Sequence, residues 1–328
     1  MLDRLHRRSL LAAAGLSAPF IVGLRPVLGQ GFPDRPLRLI VPWPPGGSTD
    51  TIARIFQPRL AEVLGRPIVI DNRGGASGAT GAIEASRAPA DGSTWILVYD
   101  TQATNETVMR LPFRTMEAFA PVCHVASGPL VMVAHHSTPF RSFMDVVEAA
   151  RRAPDTITYA TSGVGGLAHV STTLLQQVGN FRITHVPYRG GGPAVQDAVA
   201  GHVPLFMTNV VIVSQHIRAG TLRPLGVTTR TESRHVPGTP SFSQQGFGDF
   251  EAPTWWAFLG RAGVAEGLIR QMNEALVRVL NEPAIKERIE AQGCDIVASD
   301  PEACGRFLQA EIAKWARVII ENNIRADS

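Results

Sequence analysis

The chain is poor in cysteine and lysine. Its 328 residues include three cysteines, Cys123, Cys294 and Cys304, and two lysines, Lys286 and Lys314. An odd number of cysteines without metal-ligand spacing fits neither a complete disulfide framework nor a zinc site. One disulfide bond, between Cys294 and Cys304, remains possible. The alternative is three unpaired, partly buried thiols.

Well-known catalytic motifs are also missing. The sequence contains no G-x-S-x-G, no H-E-x-x-H and no G-x-x-x-x-G-K-[ST], which excludes the corresponding hydrolase, metalloprotease and P-loop sites. His135 and His136 are adjacent, so on a strand their side chains would point to opposite faces, and we interpret them as surface residues. The sequence shows no nucleophile with a general base positioned to activate it. The sequence therefore predicts a protein that is not an enzyme and uses no cofactor and no metal.

Long apolar runs are absent after residue 29. Residues 1–29 combine a basic start, an apolar run over residues 10–24 and small or aliphatic residues at the end, which is the layout of an export signal. The pair Arg7 and Arg8, followed by Ser-Leu-Leu, resembles a twin-arginine signal. The run is short for a membrane span, although a retained anchor is the alternative. We predict export to the periplasm with removal of the signal.

The positive charge of the chain is concentrated in this segment. The whole sequence has 31 Lys+Arg against 28 Asp+Glu, and residues 1–29 hold four arginines and one aspartate, which leaves 27 basic and 27 acidic residues. The mature chain is therefore neutral, and the basic pI of the whole sequence is no evidence for nucleic-acid binding. We therefore predict no nucleic-acid partner.

Short β-rich runs alternate with helix-length segments. The runs include PLRLIVPW, PIVID, TWILV, TITYA, RITHV, VPLFM and PLGVT, and this alternation favours parallel α/β layers. Apolar residues recur with a period of 3.6 in three intervening segments and predict core-facing helix stripes. These stripes are Ile52, Ile55, Phe56, Leu60, Val63 and Leu64; Leu167, Val170, Leu174, Leu175 and Val178; and Leu268, Ile269, Met272, Leu276, Val279 and Leu280.

The segment PWPPGGSTD joins the first predicted strand to the first helix. Such a junction exposes the first backbone N–H groups of the helix, which attract anions. Glycine allows a ligand to approach the main chain closely, and Ser48, Thr49 or Asp50 could cap the helix. A purely structural turn is the alternative. The candidate binding residues here are Trp43, Pro45, Gly46, Gly47, Ser48, Thr49 and Asp50.

A second junction of the same design is TITYATSGVGGLAHV. It matches the G-x-G-x-x-A dinucleotide pattern, but no acidic residue for a ribose follows at the expected distance, so we retain an anion site and reject a dinucleotide. His169 could reach a carboxylate, or it could be a capping or packing histidine. The candidate binding residues are Thr161, Ser162, Gly163, Gly165 and His169.

Several segments together resemble one family. In this order the chain contains FPDRPLRLIVPWPPGGSTDTIARIF, VIDNRGGASGATG, PADGSTWILV, YATSGVGGLAHV, ITHVPYRGGGPAVQDAVAGHV and IRAGTLRPLGVTT. They resemble the Bug family, the TctC-type receptors of tripartite tricarboxylate transporters, over essentially the whole mature chain. The resemblance implies an α/β, bilobed periplasmic-binding-protein-like fold with two α/β domains around a ligand cleft. It also implies a small organic carboxylate as ligand and membrane permease subunits as partners.

The resemblance adds further candidates to the two junctions. The matching loops are residues 44–50 and 161–169, where family members bind through backbone amides, small polar side chains and waters. Second-line candidates are Ser77 in the loop 74–81, Thr101 in the loop 100–104, and Arg189 in YRGGG. Asn209 is a further candidate binding residue, although it stands where an acidic residue is frequent in the family. The segments VPGTPSF and GRAGVAEG also depart from the family pattern. The ligand could thus be a di- or tricarboxylate, an aromatic acid or an acidic amino acid.

Each half of the chain carries one of these junctions, which predicts the domain organisation. We expect residues 30–123 and 235–328 to form one lobe, residues 124–234 to form the other, and the protein to be a monomer. Two other functions remain: an exported sensor that signals to a membrane protein, and an exported enzyme acting on an organic acid.

Overall fold

The computed structural model describes residues 31–326, so the predicted export signal lies outside the described residues. Within this range no helix is both long and apolar enough to cross a lipid bilayer. The elements form two β-sheets covered by helices.

The first sheet has six strands in the order β11-β4-β10-β3-β1-β2. These are β1 (Leu37–Val41), β2 (Ile68–Asn72), β3 (Thr94–Tyr99), β4 (Phe119–Gly128), β10 (Thr254–Arg261) and β11 (Asp295–Ile296). Strands β2, β1 and β3 are parallel, with Leu37 opposite Ile68, whereas β10 runs antiparallel to both β3 and β4.

The second sheet has five strands in the order β7-β6-β8-β5-β9. These are β5 (Leu130–His135), β6 (Thr158–Thr161), β7 (Thr184–Pro187), β8 (Leu205–Asn209) and β9 (Leu222–Val227). Strands β7, β6 and β8 are parallel, and β5 is antiparallel to β8 and β9. Both sheets are therefore mixed. The predicted parallel layers are found in β1, β2 and β3 and in β6, β7 and β8, whereas β4, β5, β9, β10 and β11 pair antiparallel with their neighbours.

The described helices connect and cover the strands. They are α1 (Ser48–Leu64), α2 (Ala79–Ser86), α3 (Thr101–Val108), α4 (Thr115–Ala118), α5 (Phe143–Arg152), α6 (Leu167–Gly179), α7 (Gly191–Ala200), α8 (Val210–Arg218), α9 (Glu266–Leu280), α10 (Pro283–Glu290) and α11 (Pro301–Glu321), with a 3₁₀ turn over Ala76–Gly78. Two helices have side-chain caps: Ser142 forms a capping box with Asp145 at α5, and Asp300 caps α11.

The chain passes from the first sheet to the second between β4 and β5 and returns at β10. Strand β4 extends to Gly128 and β5 begins at Leu130, so the predicted lobe boundary at residues 123 and 124 falls within β4. Apolar contacts continue across both sheets, since Ile96 and Leu205 belong to one buried cluster.

The predicted helix stripes pack into the core with one exception. All six predicted residues of α9 are buried, as are Ile52 and Phe56 of α1. Val178 is 52% exposed, and its prediction as a core residue is wrong because the buried face of α6 continues from Leu175 to Gly179, which leaves Val178 on the exposed side of the last turn.

The three cysteines are free and completely buried, rather than partly buried as predicted. Burial raises the pKa of Cys294 and of Cys304 to about 12. Their thiols are consequently packing groups and lack the thiolate character of reactive cysteines.

Candidate functional site

The first candidate loop joins buried β1 to α1. Gly46 has φ +81°, a backbone conformation that favours glycine. The N-cap residue is Gly47, with φ −72° and ψ 166°, and no side chain caps the helix. The amides of Ser48, Thr49 and Asp50 therefore have no intrahelical acceptor.

Asp50 fixes the shape of this loop instead of capping α1. Its Oδ2 accepts hydrogen bonds from the Gly46 amide at 2.9 Å and from Arg54 Nε at 2.8 Å, and its Oδ1 accepts from Asn72 Nδ2 at 3.0 Å. Burial alone would raise the pKa of Asp50, but these hydrogen bonds lower it below its usual value. The expectation that Asp50 is a cap is wrong, because its carboxylate is engaged by these three groups.

Thr49 is likewise a structural residue. It is 1% exposed, and its Oγ1 accepts a hydrogen bond from Trp256 Nε1 at 3.2 Å. This bond ties the start of α1 to β10, the central antiparallel strand of the first sheet.

The second candidate loop repeats the geometry of the first. Its helix, α6, has the N-cap Gly166 with φ −65° and ψ 162°, again without a side-chain cap. Thr161 braces the loop, because its Oγ1 donates to the Gly163 carbonyl at 2.8 Å and accepts from the Gly163 amide at 3.3 Å. The amides of Leu167 and Ala168, at the start of α6, therefore have no intrahelical acceptor.

A pair of stacked histidines supports this loop from behind. The rings of His169 and His185 lie 3.8 Å apart with 16° between their planes. His169 Nδ1 accepts from the Gly165 amide at 3.1 Å, and His185 Nε2 lies 2.7 Å from Thr161 Oγ1. Burial lowers the pKa of His169 to about 4, and burial together with His169 lowers the pKa of His185 to about 3. Both rings are neutral at pH 7 and act as packing and hydrogen-bonding groups.

Polar contacts join the loops of the two sheets. Ser77 Oγ donates to the Val164 carbonyl at 3.2 Å. From β8, Asn209 Nδ2 donates to Tyr99 OH at 3.0 Å and lies 3.4 Å from Ser48 Oγ. The two groups of loops thus face each other across one cleft.

Two cavities occupy this cleft. The wide cavity has a volume of about 220 Å³ and the narrow cavity of about 20 Å³. The wide cavity is lined by Trp43, Pro44, Pro45, Gly46, Gly47, Ser48, Tyr99, Ser162, Arg189, Gly190, Gly191, Gly192, Pro193, Asn209 and Ile212. The narrow cavity is lined by Trp43, Ser77, Tyr99, Asp100, Thr101, Thr161, Ser162, Gly163, Gly166, Leu167, Ala168 and Thr208. Both share Trp43, Tyr99 and Ser162, so they are neighbouring parts of one site.

Buried polar atoms without partners collect at this site. Trp43 Nε1, Asp100 Oδ1, Thr208 Oγ1 and Asn209 Oδ1 have no hydrogen-bond partner among the described residues, and all four residues line a cavity. An unsatisfied buried polar group costs about 1–3 kcal/mol. Four such groups in one place indicate a surface that is completed by a polar ligand.

The site is poor in full charges. Arg189 is exposed and lines the wide cavity, and it is the one lysine or arginine among the described residues lining either cavity. Among residues 31–326 there is also no group of three or more His, Cys, Asp or Glu side chains that could hold a metal ion. The arrangement therefore offers amides, hydroxyls, an indole N–H and helix termini as its donors.

The structure brings most of the predicted residues together. Twelve line the cavities: Trp43, Pro45, Gly46, Gly47, Ser48, Ser77, Thr101, Thr161, Ser162, Gly163, Arg189 and Asn209. Thr49, Asp50, Gly165 and His169 do not line either cavity; they hold the loops in place. Sequence reasoning missed Tyr99, Thr208 and Ile212. The first two lie at the carboxyl ends of β3 and β8, where open α/β sheets bind ligands, and that position is the signal that could have identified them.

Two mixed sheets with a loop-lined cleft define the class of the protein as a solute-binding protein of the periplasmic-binding-protein type. The chain belongs to the TctC family, described as the tripartite tricarboxylate transporter family receptor, whose model matches residues 52–324. The expected fold class and family are thereby confirmed.

Individual relatives agree with this assignment. Protein BugT of Bordetella pertussis is 33% identical over 318 residues, covering 96% of this chain and 95% of BugT. The structure of Rpa4515 of R. palustris with adipate superposes with a TM-score of 0.84 at 31% identity and covers 89% of this chain and 99% of that one. MatC from Rhodopseudomonas palustris with bound malate gives a TM-score of 0.82 at 26% identity, with 88% and 100% covered.

The stacked histidines predict a pH dependence of stability. Their pKa values are lower in the folded protein than the value of about 6.5 in an unfolded chain, so the unfolded state binds more protons as the pH falls from about 6.5 towards 4. The free energy of unfolding should decrease over this window by about 1 kcal/mol per pH unit for each histidine. His185→Gln should therefore show a smaller decrease than the unsubstituted protein in urea titrations at pH 6.5 and 4.5. The exposed His136→Gln serves as the control, and an equal decrease in all three proteins would contradict the assignment.

Proposed function

We propose that this protein captures a small carboxylate between its two groups of loops and delivers it to the membrane permease subunits of a tripartite tricarboxylate-type transporter. The observation that carries the proposal is the convergence of two uncapped helix N-termini, at Ser48 and Leu167, on cavities that contain unpartnered buried polar atoms. We further propose that the protein acts in the periplasm, after removal of the export signal in residues 1–29.

The physical support is the electrostatic attraction between a helix N-terminus and an anion. Its free amides point at the ligand, and the aligned peptide dipoles contribute roughly half a positive charge. Two such termini supply electrostatic stabilisation without a lysine or an arginine. The relatives Rpa4515 and MatC are named with adipate and malate, which makes small dicarboxylates the first compounds to test.

The cleft offers little for chemical catalysis. His169 and His185 are neutral, and His169 accepts a hydrogen bond from the Gly165 amide. The hydroxyl of the cavity-lining Thr161 lies 2.7 Å from His185 Nε2, but it donates its proton to the Gly163 carbonyl, so it is engaged by the backbone and is not a free nucleophile. We therefore propose binding without turnover. A sensor that presents its liganded form to a membrane protein is the second candidate, and uptake assays with the permease subunits distinguish it from a transport receptor.

We also propose that the two sheets are the centres of two lobes, residues 30–123 with 235–328 and residues 124–234, within a monomer. The contacts across the cleft between Ser77 and Val164, and between Asn209 and Tyr99, support a closed arrangement. The first bond joins the 3₁₀ turn at Ser77 to the loop before α6, and the second joins the ends of β8 and β3. Both are single side-chain bonds, so they can break without unfolding either sheet.

Lobe closure predicts a change in overall size on binding. Small-angle X-ray scattering on the monomeric protein should show a smaller radius of gyration with a saturating carboxylate than without it, because hinge closure brings the two lobes together. Ser77→Ala, which removes one bond across the cleft, should leave the liganded form less compact. A scattering profile that does not change when the carboxylate is added would argue against closure.

The ligand itself is found by a thermal-shift screen. Compounds that bind only the folded state raise the melting temperature, so adipate, malate, citrate, aromatic acids, aspartate and glutamate form a sufficient panel. Simple monocarboxylates are added to this panel, and if none of these carboxylates raises the melting temperature, the proposed function fails.

The helix-terminus account makes a specific prediction about three variants. A Cβ at Gly47 would lie 3.4 Å from the Pro44 carbonyl oxygen, so Gly47→Val can keep the turn while blocking approach to the amides of α1. A Cβ at Gly163 would lie 2.9 Å from Ser77 Oγ, so Gly163→Val pushes the two loops apart. Each should weaken binding by about tenfold or more in calorimetry, whereas Arg189→Ala, at an exposed position, should weaken it by less than about fivefold.

The matched control is Gly267→Val on α9, where a Cβ meets no atom within 4 Å. Circular dichroism and gel filtration verify that each variant is folded and monodisperse. Loss of binding in Arg189→Ala together with normal binding in both cleft glycine variants would show that the side-chain charge, and not the backbone, holds the carboxylate.

A further inference from the structure

Asp100 is a buried acid at the inner end of the cleft. It directly follows β3, is 2% exposed, and lines the narrow cavity. One carboxyl oxygen is fixed, because Thr254 Oγ1 donates to Asp100 Oδ2 at 2.6 Å. The other oxygen, Oδ1, has no hydrogen-bond partner among the described residues. Asp100 precedes α3 at its N-cap position, but its side chain makes no capping bond there.

No cation compensates this acid within the cavity. The described residues lining the narrow cavity include no lysine, arginine or histidine. The titratable groups that face Asp100 are Tyr99 from β3 and Glu311 from α11, and Glu311 is itself held by the indole N–H groups of Trp255 and Trp315. Thr254 from β10 and the backbone amide of Leu167 at the start of α6 are its neutral neighbours.

These surroundings favour the protonated carboxyl. Burial raises the pKa of Asp100 to about 7, with a further increase from the negative charge of Glu311, while the hydrogen bond from Thr254 and the nearby Tyr99 hydroxyl and Leu167 amide oppose the increase. Near neutral pH the acid is therefore poised to gain a proton. When it is protonated, its unpartnered oxygen can become a hydrogen-bond donor beside the cavity that Asp100 lines.

The cavity leaves room for one small polar group beside this oxygen. A volume of about 20 Å³ admits about one water-sized group, such as the end of a carboxylate. An ionised Asp100 and a ligand carboxylate would repel each other strongly there, since like charges in a shared buried site cannot both remain ionised. One proton between the two carboxyl groups removes the repulsion and forms a short, charge-assisted hydrogen bond.

We propose, on the basis of the proposed function, that Asp100 is a ligand-binding acid that holds one carboxylate oxygen of the ligand through a single shared proton. The proton comes from solvent, no covalent bond of the ligand changes, and capture of each ligand takes up about one proton when Asp100 is ionised in the free protein. The site consequently prefers ligands that place a carboxylate, and not an ammonium group, in the narrow cavity.

Calorimetry in buffers of different ionisation enthalpy counts these protons. With adipate, malate or whichever panel carboxylate binds, we expect close to one proton taken up at pH 8 and little uptake at pH 6, where Asp100 is already protonated. The affinity should fall as the pH rises above 7, approaching tenfold per pH unit, which is the linkage slope for one proton.

The variant Asp100→Asn tests the assignment to this residue. The amide oxygen can still accept from Thr254, while the amide N–H₂ replaces the donor beside the cavity. This variant should bind at pH 8 at least about tenfold more tightly than the unsubstituted protein and should take up no proton. Asp155→Asn, at an exposed aspartate paired with Arg182, should keep the full proton uptake.

The outcomes separate this proposal from the proposed function. Binding of a carboxylate without proton uptake at pH 8, or weaker binding by a folded Asp100→Asn at all pH values, would overturn the role of Asp100 and leave carboxylate capture intact. An ammonium-bearing ligand that loses affinity in Asp100→Asn would show an ionised acceptor instead. Failure of every carboxylate to bind would overturn the proposed function and this inference together.

Discussion

The geometry of the cleft depends on two helices that begin without side-chain caps. Gly47 and Gly166 have nearly the same backbone angles at the starts of α1 and α6, and each leaves backbone amides open where the two sheets face each other. Among the described helices only α5 and α11 have side-chain caps, from Ser142 and Asp300, so α1 and α6 are distinguished by the position of their open starts at the cleft cavities and not by the missing cap itself. Backbone N–H groups without an acceptor at a helix start raise the free energy of the protein, and a bound anion can accept their hydrogen bonds. This explains how the site can select an anion with so few cationic residues.

The remaining structure holds these two termini in place. Asp50 fixes the first loop through Gly46, and the stacked pair His169 and His185 supports the second. These residues are charged or titratable, but their hydrogen bonds are directed into the protein and away from the ligand. Selectivity between ligands would then arise from the side chains that line the wide cavity, which include the charged Arg189, the polar Asn209 and the apolar Ile212.

Local sequence was sufficient to predict the two loops but not the far side of the cleft. The strand, proline-glycine turn and helix at residues 42–51 form a contiguous pattern, so the binding segment could be found without knowledge of the fold. Tyr99 and Thr208 end ordinary buried strands, and only the tertiary arrangement shows that these ends meet in the cleft. The antiparallel strands β4, β5 and β10 were not predicted because a short, continuously apolar run cannot be distinguished from a buried helix segment by periodicity alone. The cap assigned to Asp50 failed because Asn72, 22 residues away, competes for the same carboxylate.

A crystal structure of the protein with a bound carboxylate tests the central claim most directly. The account predicts carboxylate oxygens within hydrogen-bond distance of backbone amides at the starts of α1 and α6, with Asp100 Oδ1 close to one of those oxygens and the Arg189 guanidinium at most at the edge of the ligand. A ligand whose carboxylates are paired with Arg189, while the amides of Ser48 and Leu167 make no contact with it directly or through water, would contradict the account.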